Sequence, residues 1–221
     1  MSMYENLLTS ERGMSWLQMM PPECISALQY IQDRLTPLWA RGVCYPAPDR
    51  VMLPFHMLSP DETKMVIICK ESYRSESMAT GIPVETGNNL ETPSARVFMR
   101  LISEFWKDVN ISNFMKCYYA SGILVINASF TSESILDKRY SLTYSHCSLW
   151  SRFCYPLISH INRNTTKPIV GLGTEGRALV RNAVRGDTVH HCPFPIDGTT
   201  SREFTEIIKR LIHMYIFDVQ C

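Results

Sequence analysis

The sequence predicts an α/β fold: a single three-layer α/β/α domain with a short, mainly parallel central sheet of about four strands. Two observations carry this. The runs Met65-Val66-Ile67-Ile68 and Ile123-Leu124-Val125-Ile126 are apolar at every position, which is how a strand covered on both faces reads. Between and after such runs, apolar residues recur at three- and four-residue spacing, so strands and helices alternate. With 221 residues, 45% hydrophobic and 19% charged, the chain is long and apolar enough to bury one core.

Taken in order, residues 1–44 read as an N-terminal helical part and 45–221 as the core. In residues 15–38, Trp16, Leu17, Ile25, Leu28, Ile31 and Leu35 fall at helical spacing. Pro21-Pro22 divides them into two helices, and Pro37 predicts the end of the second. The Pro-rich connection at 45–48 leads to a helical stretch around 51–57 and then to a strand over 64–69. Residues 93–106 form the clearest helix: Val97, Phe98, Leu101, Ile102 and Phe105 share one face, and Thr92 stands where a cap belongs. A second strand over 123–127, a helix over 150–161, a third strand over 168–171, a helix over 174–182 and a fourth strand over 189–192 follow. An amphipathic helix over 201–217, with Phe204, Ile207, Ile208, Leu211 and Ile212 on one side, closes the chain.

Composition narrows the function classes. No apolar run approaches the roughly 20 residues that cross a bilayer, and the N-terminus has no basic-then-apolar leader, so no membrane role and an intracellular setting are expected. The eight cysteines are scattered without a CxxC pair, which reads as reduced thiols, mostly in the core. Asn110, Asn127 and Asn164 open glycosylation triplets that carry no meaning without secretion. His and Cys spacing supplies no zinc site, no GxSxG nucleophile elbow occurs, and neither a metal nor a cofactor is expected. A net charge of +1 gives no global basic field, so nucleic-acid binding has to rest on a local patch or on backbone amides. The basic elements Lys138-Arg139, Arg177, Arg181, Arg185 and Lys209-Arg210 read either as phosphate contacts or as solvated helix faces.

In a doubly covered parallel sheet, ligands gather at the carboxyl ends of the strands. Four polar clusters stand there: Lys70-Glu71-Ser72-Tyr73-Arg74, Asn127, Gly173-Thr174, and His190-His191 before Cys192-Pro193. Asn127 ends a wholly apolar run, and its amide needs either backbone partners or a ligand. Glu71 beside Lys70 and Arg74 reads as a solvated charge cluster or as a working carboxylate; the two histidines read as loop residues or as catalysts.

The order and spacing of these pieces resemble the uracil-DNA glycosylase family over roughly residues 45–215. Tyr45-Pro-Ala-Pro-Asp-Arg-Val51 with Phe55, followed by Lys64 to Arg74, is similar to the family's entry segment and its GQDPYH water-activating loop. Gly81-Ile-Pro-Val84 is similar to the stretch bearing the base-stacking Phe, and Thr92-Pro93-Ser94 to the Pro-Ser loop. Gly122-Ile-Leu-Val-Ile-Asn127 is similar to GVLLLN, Ser145-His146 with Trp150 and Phe153 to SHxxxGWxxF, Gly173-Thr174 to the Gly-Ser phosphate loop, and His191-Cys-Pro-Phe-Pro-Ile196 to a shortened HPSPLS loop.

The resemblance implies hydrolysis of the N-glycosidic bond of a base flipped out of DNA, as in base excision repair. It assigns Glu71 to water activation and His191 to stabilising the leaving base. Lys70, Tyr73, Val84 and Asn127 take the base-binding places; Arg74, Pro93, Ser94, Gly173, Thr174, Phe194 and Ile196 take the DNA-contacting ones. Glu71 stands where the family has Asp, and one added methylene moves its oxygens by about an ångström, a misplacement able to cost on the order of a hundredfold. Lys70 replaces Gln and puts a cation beside that carboxylate, Ser72 replaces Pro and loosens the loop, and Arg74 replaces His as a permanent cation able to contact phosphate. Val84 has no ring to stack, and Phe194 or Ile196 has to serve as the wedge that opens the base step. The expectation is a monomeric DNA-binding protein, on single or double strands in the nucleus or another DNA-containing compartment, that excises uracil. The competing expectation is a catalytically impaired relative that serves as a DNA-binding or protein-docking subunit, with a replication protein as partner, as viral relatives do when they form processivity factors.

Overall fold

The computed structural model describes residues 1–134, 146–184, 189–196 and 198–217. Ser145, Lys138-Arg139 and Arg185, singled out above, lie outside the described residues.

The chain begins with a helix the apolar pattern does not announce, α1 (Met3–Leu7). Its start signal is chemical: the Ser2 hydroxyl accepts from the Glu5 N–H, and the Glu5 carboxylate accepts from the Ser2 N–H. Ser10 caps α2 (Glu11–Met19) through the Gly13 N–H. The Pro21-Pro22 break then opens α3 (Pro22–Ala40) as expected. The expected end before Pro37 is corrected, because α3 runs through that proline to Ala40. Pro37 sits in the last turn, where its ring removes one helical hydrogen bond, while buried Cys24, Leu28, Ile31 and Leu35 hold the helix on the core.

A short strand β1 (Cys44–Tyr45), a 3-10 turn at Pro48–Arg50 and α4 (Leu53–Met57) lead to β2 (Met65–Glu71). Thr92 caps α5 (Pro93–Ile102) by accepting from the Ala95 N–H; the helix stops four residues short of the predicted 106. The short α6 (Phe114–Ala120) precedes β3 (Ile123–Ser129), and β4 (Ser132–Glu133) pairs antiparallel with β1. Neither α6 nor the β1–β4 ribbon is legible in the apolar pattern. The chain closes through α7 (Cys147–Asn164), β5 (Ile169–Leu172), α8 (Gly173–Ala183), β6 (Val189–Cys192) and α9 (Gly198–Ile212), with a wider π-type turn at His213–Phe217.

The main sheet has the order β3-β2-β5-β6, and every pairing is parallel. From β2 the chain crosses to one side to make β3, then returns past β2 to make β5, so the strand order reverses beside β2. The crossovers run in opposite directions, and by the general right-handed rule this places α7 and α8 on one face and α5 and α6 on the other; α9 packs against α5. The aromatic side chains Trp16, Phe55, Phe130, Trp150 and Phe153 pack edge and face against one another beneath α3 and α7.

Glycines set how closely α8 approaches the sheet. A Cβ at Gly176 would lie 2.4 Å from the Ile68 carbonyl oxygen, and one at Gly171 would lie 2.5 Å from the Gly176 carbonyl oxygen. Both obstacles are backbone, which does not yield as a side-chain tip does. The N-terminus of α8 therefore sits directly against the end of β2. Gly176→Ala is expected to lower stability by about 1–3 kcal/mol, the usual cost of overpacking, read as a lower thermal midpoint. An Ala178→Gly control on the exposed face of α8 loses only helix propensity, about 1 kcal/mol; equal losses in the two variants would show that the helix does not need this close approach.

Candidate functional site

The switch in strand order opens a cavity of about 1450 Å³ at the carboxyl ends of β2, β3 and β5. Of the residues proposed from sequence, Lys70, Glu71, Tyr73, Arg74, Val84, Ser94, Asn127, Gly173, Thr174, Phe194 and Ile196 line it. Cys69 pairs with Asn127 and Glu71 with Ser129 across the β2–β3 ladder, so strand alternation puts the Glu71 and Asn127 side chains on one face. Lys70 faces α8 instead, where its Nζ lies 3.2 Å from Glu175.

Two buried acceptors in this cavity have no donor among the described residues: Glu71 Oε2 and Asn127 Oδ1. Asn127 is only 4% exposed. An unmade hydrogen bond at a buried polar atom costs about 1–3 kcal/mol, so such atoms persist where a ligand or water completes them. The other Glu71 oxygen, Oε1, is held by Arg74 at 2.7 Å, with Lys70 at 3.8 Å. Arg74, expected to reach for phosphate, is therefore engaged with the carboxylate.

The loop around Glu71 is also firmer than the exchange of Pro for Ser72 suggests. The Ser72 N–H, which proline would lack, donates to the Ser129 carbonyl at 3.2 Å, and the Ser132 hydroxyl donates to the Ser72 carbonyl at 2.9 Å. The Tyr73 hydroxyl lies 3.3 Å from the Val84 carbonyl and 3.2 Å from the Thr92 hydroxyl; burial pushes its phenol above the ordinary range. Val84 holds φ of 68°, a left-handed conformation that is strained for a β-branched residue, and strain of this kind gathers at ligand sites.

On the opposite wall, the Ser94 hydroxyl donates to the Pro195 carbonyl at 3.2 Å and ties the start of α5 to the loop after β6. That loop carries Phe194 into the cavity and leaves Ile196 64% exposed at its rim. Gly173, with φ of 63°, opens α8, where an added Cβ would come within 3.2 Å of the Phe194 Cβ. Pro93 lies just outside, in a neighbouring groove shared with Ile196.

His191, assigned by the resemblance to the leaving base, is not among the residues that line the cavity. It is exposed on β6, where partial burial and then Arg181 and Arg177 hold its imidazole below the ordinary range. The next residue, Cys192, is fully buried, its thiol pushed up to about 12 chiefly by burial. No histidine lines the cavity among the described residues. Sequence reasoning missed Thr92 as the partner of Tyr73 and Glu175 as the partner of Lys70. Both are long-range pairings without a motif. The described residues hold no group of three or more His, Cys, Asp or Glu side chains placed to bind a metal ion, and no helix long and apolar enough to cross a membrane.

No protein-family model matches the chain. Individual proteins do. The sequence is 24% identical over 179 residues to the uracil-DNA glycosylase of Streptococcus mutans, covering 79% of each chain. It is 22% identical to that of Bacillus cereus, covering 85% of this chain and 80% of the relative. Among solved structures, wild-type UNG from Nitratifractor salsuginis superposes with a TM-score of 0.58 at 14% identity, covering 89% of this chain and 94% of that one. Mimivirus uracil-DNA glycosylase gives 0.59 at 16%, covering 81% and 71%. The chain is thus similar to uracil-DNA glycosylases over most of its sequence, and it has their fold.

The unpartnered Asn127 amide makes a prediction that separates a ligand-binding role from a structural one. Asn127→Leu, close in volume, removes the orphaned acceptor and is expected to leave the thermal midpoint unchanged or raise it, by up to about 1–3 kcal/mol of stability. A marked loss of stability would mean that Asn127 serves the fold.

Proposed function

We propose that this protein binds DNA and receives an extruded uracil in the cavity between β2 and β3, where Glu71 directs hydrolysis of the N-glycosidic bond. The observation that carries the reading is the pair of donorless acceptors, Glu71 Oε2 and Asn127 Oδ1, facing one cavity at the ends of adjacent strands. An amide side chain presents a donor and an acceptor side by side, the complement of the O4 and N3–H edge of uracil. Asn127 reads that edge with both groups, and its oxygen gains the donor it lacks.

Glu71 is the carboxylate set to receive a proton from water: its Oε1 is anchored by Arg74 and its Oε2 stays open to the cavity. Water attacks the anomeric carbon as the bond to the base breaks, and the electron pair leaves on uracil. With no histidine in the cavity wall among the described residues, the leaving charge falls to the Asn127 amide N–H and to the positive field of Lys70 and Arg74. The known activity of the relatives supports the same reaction class.

A second reading has its own observation. Arg74 at 2.7 Å and Lys70 at 3.8 Å both engage Glu71, and Val84 offers no ring to stack a base. These features favour a protein that binds DNA, or docks a replication partner, without turnover.

Single-turnover uracil release from a single-stranded oligonucleotide decides between them. Slow release is expected, falling by about 10²-fold or more in Glu71→Gln, the range for loss of a general base. Retention of DNA binding with no release by the unaltered protein would establish the second reading.

A further inference from the structure

The cavity does not end at its rim. Arg177 lines it from α8, and its guanidinium Nε donates to the Gly173 carbonyl at 3.0 Å, fixing the side chain at the helix start. Arg181 lies one turn further along the same helix face, about 6 Å away at 1.5 Å per residue. His191, on the neighbouring edge strand β6, lies within electrostatic reach of both guanidinium groups. All three residues are exposed, and no carboxylate pairs with any of them among the described residues. A basic row of this kind is unexpected in a chain whose net charge is only +1.

We propose that Arg177, Arg181 and His191 form a track for the DNA backbone, carrying the strand away from the cavity along α8 and the edge of β6. This rests on reading the cavity as a base-binding site, but it does not need that site to be catalytic. Three features select a nucleic-acid strand over an isolated anion. The row is continuous with the cavity through Arg177. Its two arginines stand one helical turn apart on one face of α8, so both can meet the same strand. It lies on the face of α8 whose N-terminus, Gly173 and Thr174, already opens on the cavity. The exposed His191 then serves as a backbone contact on this track.

The test is fluorescence anisotropy of a labelled single-stranded oligonucleotide without uracil, titrated over a range of salt. It compares the unaltered protein, Arg181→Gln, and the double variant Arg177→Gln with Arg181→Gln, alongside uracil release from a uracil-containing strand. The double variant is expected to bind about tenfold or more weakly at low salt, with an unchanged thermal midpoint. Losing two phosphate contacts should also reduce the slope of log K against log salt by about 1.4, at roughly 0.7 per contact on a single strand. Arg181→Gln, remote from the cavity, should show about half that change in slope. Equal affinity and slope in all three proteins overturn the track, even if uracil is released and the glycosylase reading stands. Binding that depends on the two arginines without any uracil release upholds the track while the catalytic reading fails. No binding by the unaltered protein overturns both.

Discussion

Strand β2 is hydrogen-bonded on both sides, to β3 and to β5, and this double pairing governs where everything else can go. Its apolar half, Met65 to Ile68, is fully buried and leaves no choice of face. Its last two residues emerge where the strand order reverses, so alternation sends Lys70 toward α8 and Glu71 toward the cavity. Gly171 and Gly176 let α8 close on the end of β2 at backbone distance, bringing Gly173 and Thr174 to the same opening. The position of the site follows from sheet topology before any side-chain chemistry is considered.

The chemistry of the site is then one of incomplete satisfaction. The loop after β2 is held by backbone bonds through Ser72, and Tyr73 is tethered to Val84 and Thr92. Within that fixed frame, one oxygen of Glu71 is paired with Arg74 while the other, together with the Asn127 oxygen, stays buried without a donor among the described residues. A fold evolved only for stability has little reason to leave two acceptors unmet in one cavity. The same frame explains how several departures from the glycosylase pattern are accommodated: Ser72 gains a hydrogen bond that proline cannot make, and Arg74 becomes the anchor of the longer Glu71 side chain.

Much of this was legible in the sequence because strand-end residues follow directly from apolar runs. Once the runs ending near Cys69, Ile126 and Gly171 are read as parallel strands, Glu71, Asn127 and Gly173 must gather at one end. The histidine pair was not decidable in the same way. His190 and His191 are adjacent on a strand whose side chains alternate, so a shift of one residue exchanges the face each presents. The structure sends His191 outward beside Arg177 and Arg181 and leaves the His190 Nε2 buried without a partner among the described residues. Helix α1 rests on a capping box rather than on an apolar stripe, and α3 survives Pro37 because buried contacts outweigh one lost hydrogen bond. Such outcomes depend on tertiary packing, which apolar periodicity does not report.

The central claim is that the Asn127 amide, orphaned in the free protein, is completed by the edge of a pyrimidine base. The most direct measurement is nuclear magnetic resonance of the Asn127 side-chain amide, assigned by its disappearance in Asn127→Leu, during titration with free uracil. The account predicts a saturable shift of that resonance with uracil, and none with 3-methyluracil, which lacks the N3–H donor. An amide signal that ignores uracil at saturating concentration, or responds equally to both compounds, would contradict it.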